Sequence, residues 1–264
     1  MCGIAGYSLS PESSVKRTLA AQALLAGIAE RGADAVGYAH RGSGSSVTVH
    51  KRRSGASQLL DEVHVPSAAT HVLVHVRDFT KGHPTIESNN HPIRHGAVVG
   101  IHNGIIVNDE EIFAHYGFVR AHPEMTVDSE AIFALAEHAQ GSPEALEELH
   151  GAMATAWLDE RFASTLFLAR AVGRPLWVGT GSKGLFFAST RDALAVLEST
   201  LRLTLRKREV EEGMLLHVED GRVVAQHPFQ PDRSYVEETV LPAVRAPHEG
   251  ASCLKQLAAI ALAT

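Results

Sequence analysis

Residues 1–6 read MCGIAG, and the reading of Cys2 decides the rest. Methionine aminopeptidases remove an initiator Met when the next residue is small, and Cys qualifies. The chain that results begins with a cysteine carrying both a thiol and a free α-amine. Their unperturbed pKa values are about 8.5 and about 7.7–8.0, so the amine can serve as general base toward its own thiol near neutral pH. Gly3, Ala5 and Gly6 leave room for a substrate to approach the backbone. The plain alternative is an incidental cysteine in a frayed chain end. The downstream sequence decides between them.

The chain has 264 residues, enough for one large domain or two small ones burying roughly three quarters of the unfolded surface. Composition is that of a globular protein, 45% hydrophobic and 20% charged, and the formal net charge is −6. That balance gives no overall attraction to nucleic acid or to an anionic membrane, and neither partner is expected. No apolar run approaches the roughly 20 residues of a membrane span, and the start lacks a signal peptide's charged and apolar regions. Cys2 and Cys253 make no disulfide framework. The expected location is the cytoplasm.

Apolar spacing predicts helices over 15–30, 110–116, 128–140 and 191–197, with a short one over 142–150. Strands are predicted over 38–40 and 46–51, around the turn-rich RGSGS, and over 71–77 and 97–102. A strand-rich half follows, over 154–159, 165–169, 176–179, 184–188, 214–218 and 222–228. Within 71–77, Val72, Val74 and Val76 face one way and His71, Leu73, His75 and Arg77 the other. Grouped strands and helices point to sheets packed between helical layers, and the lack of a repeat excludes a solenoid or propeller. The expected organisation is a domain over 1–231 and a C-terminal tail over 232–264, with a short apolar helix at 254–263.

Four motifs follow the N-terminal cysteine in order: ERGADAVGYA (30–39), HVRDFTKGHPTIESNNHP (75–92), GIHNGIIVND (100–109) and TVDSEAI (126–132). Together with Cys2 they resemble the class II glutamine amidotransferases, whose glutaminase domains are N-terminal-nucleophile hydrolases. The resemblance covers about residues 1–228. It is strong toward the glutaminase half of glucosamine-6-phosphate synthases, in HNGIIVND and in TLFLARAVGRPLWVGTG (165–181). It implies an α+β fold, a four-layer αββα sandwich with two mainly antiparallel sheets between helical layers.

The resemblance also implies roles. Cys2 is the nucleophile, its own α-amine moves the proton, and removal of Met1 is the activating step. Asn103, with the backbone N–H of Gly104, forms the oxyanion hole, each donor worth roughly 2.7–4 kcal/mol of barrier. The ordinary reading of Asn-Gly is a hairpin turn. Arg77 matches the carboxylate-binding arginine, its planar fork suiting bidentate pairing. Asp128 matches the residue taking the α-ammonium group; the ordinary reading is a helix N-cap. Thr80 and His91 are further substrate-binding positions, and Arg31 and His75 support the site. The family loop commonly reads R-W-A-T-H-G where this chain has Arg77-Asp78-Phe79-Thr80-Lys81-Gly82.

Six histidines, His71, His75, His83, His91, His95 and His102, crowd one third of the chain without metal-ligand spacing, so no metal or other cofactor is expected. Arg202, Arg206, Lys207 and Arg208 read as a solvated strand or turn. Beyond the predicted domain lie about 35 residues, too few for another enzymatic core. The expectation is a free-standing glutaminase subunit acting on L-glutamine and passing ammonia to a separate synthase, compatible with a homo-oligomer. The alternatives are an amidohydrolase for another amide and a glutamine-sensing module without turnover.

Overall fold

Apolar side chains build two sheets whose central strands are buried and whose edge strands are exposed. The computed structural model describes residues 1–42, 44–237 and 242–263. In chain order run β1 (Gly3–Ser8), α1 (Arg17–Ile28), β2 (Ala35–Arg41), β3 (Val47–Arg52), β4 (His71–Arg77), β5 (Ile93–His95), β6 (Val98–Ile106), α2 (Asp109–Tyr116) and α3 (Glu130–Ala139). Then come β7 (Gly151–Asp159), β8 (Thr165–Arg170), β9 (Trp177–Gly181), β10 (Gly184–Ala188), α4 (Arg191–Leu201), β11 (Arg206–Glu209), β12 (Met214–Glu219), β13 (Arg222–Pro228) and α5 (Pro247–Ala263).

One sheet has seven strands in the order β11-β9-β10-β1-β4-β2-β3, and the other six in the order β13-β12-β8-β7-β6-β5. The pairings are antiparallel. Helices α1 and α4 pack on the outer face of the first sheet, with α5 against α1, and α2 and α3 lie on that of the second. A third apolar cluster, with Ile4, Leu73, Ile101 and Ala156, fills the space between the sheets. This is the four-layer αββα sandwich expected from the sequence.

The alternation in β4 sets the layering. Val72, Val74 and Val76 join the helix-facing cluster while Leu73 joins the inter-sheet one, so His71, His75 and Arg77 share the inner face. The same rule on β6 turns Ile101 and Asn103 inward and His102 toward the α3 side. The turn after α1 lies tight on the end of β4: the Asp34 N–H donates to Arg77 O at 3.0 Å, and a β-carbon on Gly32 would strike that carbonyl.

Several boundaries differ from expectation. Helix α1 begins at Arg17, because Lys16 is extended, and a 3-10 turn over Ala29–Arg31 follows it. Residues 142–150 give a 3-10 helix over Pro143–Glu148. Helix α3 starts at Glu130, which leaves Asp128 outside it. Asn103-Gly104 lies inside β6, paired with Ala154 and Met153, and makes no hairpin turn. Gly104 has φ +151°, and a β-carbon there would strike Ala152 O, so only glycine fits. Arg206, Lys207 and Arg208 lie on the edge strand β11.

The C-terminal helix begins at Pro247, not at 254. Its Cys253 and Leu257 are buried in the cluster beneath α1. Glu249 accepts hydrogen bonds from Ser57 N at 2.8 Å and Ser57 Oγ at 3.1 Å. The helix is thus the third member of an outer layer. Ser43 of the RGSGS turn, and 238–241 and 264 of the tail, lie outside the described residues.

Candidate active site

Cys2 stands at the head of β1, one residue before Gly3, whose cross-strand partner is Val76. That register sets Cys2 beside the end of β4, where Arg77 and Asp78 lie. Arg31 Nε donates to Cys2 O at 2.8 Å, and the Cys2 thiol donates to Asp78 O at 3.5 Å. The Met1 ammonium group is bound to the Asp78 carboxylate. Burial pushes the Cys2 thiol up from its ordinary value, while the Asp78 carbonyl bond and the positive charges of the N-terminus and Arg77 pull it back. The nearby positive charges therefore favour a thiolate, which burial and the Asp78 carboxylate resist.

Across the inter-sheet space, Asn103 is 0% exposed, and neither its Oδ1 nor its Nδ2 has a partner among the described residues. A buried amide left unpaired costs about 1–3 kcal/mol. Such a group calls for a partner from outside the protein chain, a water or a ligand. His102, its neighbour, shares Nδ1 with Ser129 Oγ at 2.9 Å, which fixes β6 to the residues that open α3.

Those residues include Asp128. Its Oδ2 accepts the Ile106 N–H at 2.7 Å, so the carboxylate is aimed at β6 and does not cap α3. Burial pushes its carboxyl up to about 6, with Asp109 adding to the rise and the Ile106 bond opposing it. Arg77, 2% exposed, donates through Nη1 to Asn90 Oδ1 at 2.6 Å and through Nη2 to Lys81 O at 2.9 Å and to Gly82 O. Burial lowers its pKa, and the charges of Cys2 and Asp128 raise it, so the three groups share one electrostatic environment.

The supporting histidines pack beside Arg77. His75 Nε2 lies 3.1 Å from His102 O, and the His75 ring stacks on His91 with centroids 4.2 Å apart. Both His91 nitrogens lack partners among the described residues. Burial drives His75 and His102 down to about 3 and His91 well below its ordinary value, so all three are neutral imidazoles at pH 7. Among the described residues no group of three His, Cys, Asp or Glu is placed to hold a metal ion.

Thr80 sits on the exposed side of the loop with no hydrogen bond to the other site residues. The loop is tied down by Lys81, whose Nζ reaches Asp109 Oδ1 and Oδ2 at 2.6 and 2.7 Å. Asn90, Lys81 and Asp109 were given no site role in the sequence reading. Asn90 and Asp109 both stood inside quoted motifs (ESNNHP and HNGIIVND), which was the available signal.

Two antiparallel sheets between helical layers, with a cysteine heading the first strand, make the fold of the N-terminal-nucleophile hydrolase type. A family model described as a glutamine amidotransferase domain matches residues 80–196. The glutamine–fructose-6-phosphate aminotransferase (isomerizing) of Vibrio vulnificus strain YJ016 is 32% identical over 228 residues, covering 81% of this chain and 34% of that protein. Its counterpart from Shigella flexneri is 34% identical over 237 residues, covering 83% and 35%. This chain thus spans about a third of the length of the curated relatives it matches. The glutamine phosphoribosylpyrophosphate amidotransferase of B. subtilis, complexed with ADP and GMP, has the same fold. It superposes with a TM-score of 0.68 at 21% identity, over 87% of this chain and 49% of that one. The chain thus carries a glutamine amidotransferase domain and is homologous to part of these glutamine–fructose-6-phosphate aminotransferases. Among the described residues no helix is long and apolar enough to cross a membrane.

Proposed function

We propose that residues 1–231 hydrolyse L-glutamine to glutamate and ammonia through a thioester on Cys2, formed once Met1 has been removed. The Cys2 α-amine takes the thiol proton, and the thiolate attacks the side-chain amide carbon. The tetrahedral oxyanion is held by Asn103 Nδ2 and the Gly104 N–H. As the intermediate collapses, the C–N bond breaks and the α-ammonium returns the proton to the departing nitrogen, releasing ammonia. Water then adds to the thioester, and its collapse frees glutamate and the thiol. Arg77 takes the substrate α-carboxylate and Asp128 its α-ammonium group, with Thr80 and His91 on the substrate side and Arg31 and His75 as supports.

The observation that carries this reading is Asn103: a wholly buried amide with no partner among the described residues, next to Gly104, where the backbone tolerates only glycine. The ammonia is passed to a synthase, which the sequence leads us to expect as a separate polypeptide; co-purification with such a partner tests this point. The hydrolysis is tested by glutamate and ammonia release from protein beginning at Cys2, from protein retaining Met1, and from Cys2→Ala. Only the first should turn over. Preference for a glutamine analogue without its α-amine would instead identify a different amidohydrolase.

A further inference from the structure

The carboxylate of Asp78 stands where the family loop carries an aromatic residue, and its partners come from both ends of the chain. Asp78 Oδ2 accepts the Met1 ammonium group and also pairs with Arg245 Nε at 3.2 Å. Arg245 lies just before α5, and its own backbone is fixed. The Arg245 and Ala246 N–H groups donate to Glu30 O at 2.9 and 2.8 Å. Glu30 precedes Arg31, whose guanidinium holds Cys2 O. The contacts close a ring: Cys2 O to Arg31, Glu30 O to the Arg245 backbone, Arg245 side chain to Asp78, and Asp78 O back to the Cys2 thiol. Helix α5 anchors the ring through buried Cys253 and Leu257 and through Glu249 on Ser57.

We propose that Arg245 is a positioning residue for Cys2, acting through Asp78, so that the segment entering α5 forms part of the nucleophile's support. The inference rests on reading Cys2 as the nucleophile. The departure at position 78 then has a counterpart elsewhere in the chain. A carboxylate beside a thiol disfavours the thiolate, and a guanidinium from the C-terminal segment offsets that charge while fixing the carboxylate. The guanidinium also keeps the loop carbonyl of Asp78 aligned with Sγ. Removal of Met1 frees one side of Asp78, and Arg245 keeps the other side held.

The test uses the full chain beginning at Cys2. In Arg245→Gln, kcat for glutamine should fall about tenfold with KM within about twofold, since misplacing a reacting group acts on the chemical step. Alkylation of Cys2 by iodoacetamide, followed by peptide mapping, should slow several-fold, because Asp78 is then uncompensated. Cys253 serves as the internal control: it is buried, and its thiol is pushed up to about 12 by burial. Arg245→Lys should restore part of both rates. In an Asp78→Asn background the change at 245 should have less than about a twofold effect, as coupled residues require. Unchanged kcat and alkylation rate in Arg245→Gln, or an equal effect in the Asp78→Asn background, would overturn the proposal. A thermal melt of each variant separates a mere stability loss, which would not change the alkylation rate of the folded protein. If the unsubstituted protein releases no ammonia, the glutaminase reading fails, and the alkylation rates still judge Arg245.

Discussion

Asn103 and Arg77 stand on opposite sheets and serve one site in the proposed mechanism, and their side chains are treated in opposite ways. Asn103 is buried with both polar atoms unpaired, whereas Arg77 already donates to Asn90, Lys81 and Gly82. The first is a site ready for a ligand oxygen. The second must share or exchange partners when a carboxylate arrives. The difference separates two tasks that free energy treats differently. A donor kept unpaired in the resting site acts most strongly on the short-lived oxyanion, where it lowers the barrier. A donor occupied at rest and in the complex contributes to the binding of substrate, with only the difference between its partners available as affinity.

Substitution at the two positions should therefore split along kcat and KM. Asn103→Ala should lower kcat for glutamine by about 10²–10³ with little change in KM. A large KM effect there would place Asn103 on the ground state and erase the contrast. Arg77→Lys keeps the charge and loses the fork, so KM should rise about 10–100-fold while kcat holds. Steady-state kinetics at saturating glutamine read both.

Asp128 sharpens the comparison, because its charge depends on pH. Its carboxyl is pushed up to about 6, chiefly by burial, and only the ionised form pairs with a substrate ammonium group. kcat/KM should thus fall as pH drops below about 6, and this limb should vanish in Asp128→Asn, whose activity is low throughout. The stability consequence has the opposite sense. A folded carboxyl with a raised pKa binds its proton more tightly than the unfolded chain does. Its contribution is fully present below the unfolded value near 3.9 and is lost as pH rises through about 6. Asp128→Asn should accordingly melt higher than the unsubstituted protein at pH 7, and about equally at pH 4.

What was legible in the sequence follows the same division between local and distant causes. The layering was readable because β4 alternates strictly, and the preceding apolar strand argued against a hairpin at Asn103-Gly104, which the pairing within β6 bears out. β1 was not read as a strand: MCGIAG is short and rich in small residues, and its strand character comes from pairing with β4 and β10. The start of α5 was missed because Pro247 and Gly250 look like breakers. Proline suits a first helical turn, and Gly250 lies where a β-carbon would crowd Glu30. The motifs contain Asn90 and Asp109, but which residue pairs with which, Asn90 with Arg77, Asp109 with Lys81 and Arg245 with Asp78, leaves no trace in local pattern. These pairings are created by the packing of segments far apart in the chain.

Lys81 gives the smallest and most discriminating effect. Beyond the contacts of Asp78, the loop over 78–83 is held by Arg77 on the carbonyls of Lys81 and Gly82, by Asp34 on the Phe79 N–H, by Asn89 on His83 O and by Lys81 Nζ on the Asp109 carboxylate. The Lys81 side chain is 37% exposed, whereas Asp109 is buried and keeps Arg120 as a second partner at 3.0 Å. An ion pair half in water, with a spare cation on its buried member, contributes about 1 kcal/mol or less. Lys81→Met should therefore raise KM for glutamine about threefold and leave kcat unchanged, with Lys81→Arg close to the unsubstituted protein. Amide exchange over 78–83 should quicken in the Met variant without substrate, and added salt should narrow the gap between the two proteins. A fall in kcat with KM preserved would move Lys81 from the substrate-holding side of the comparison to the side of Asn103.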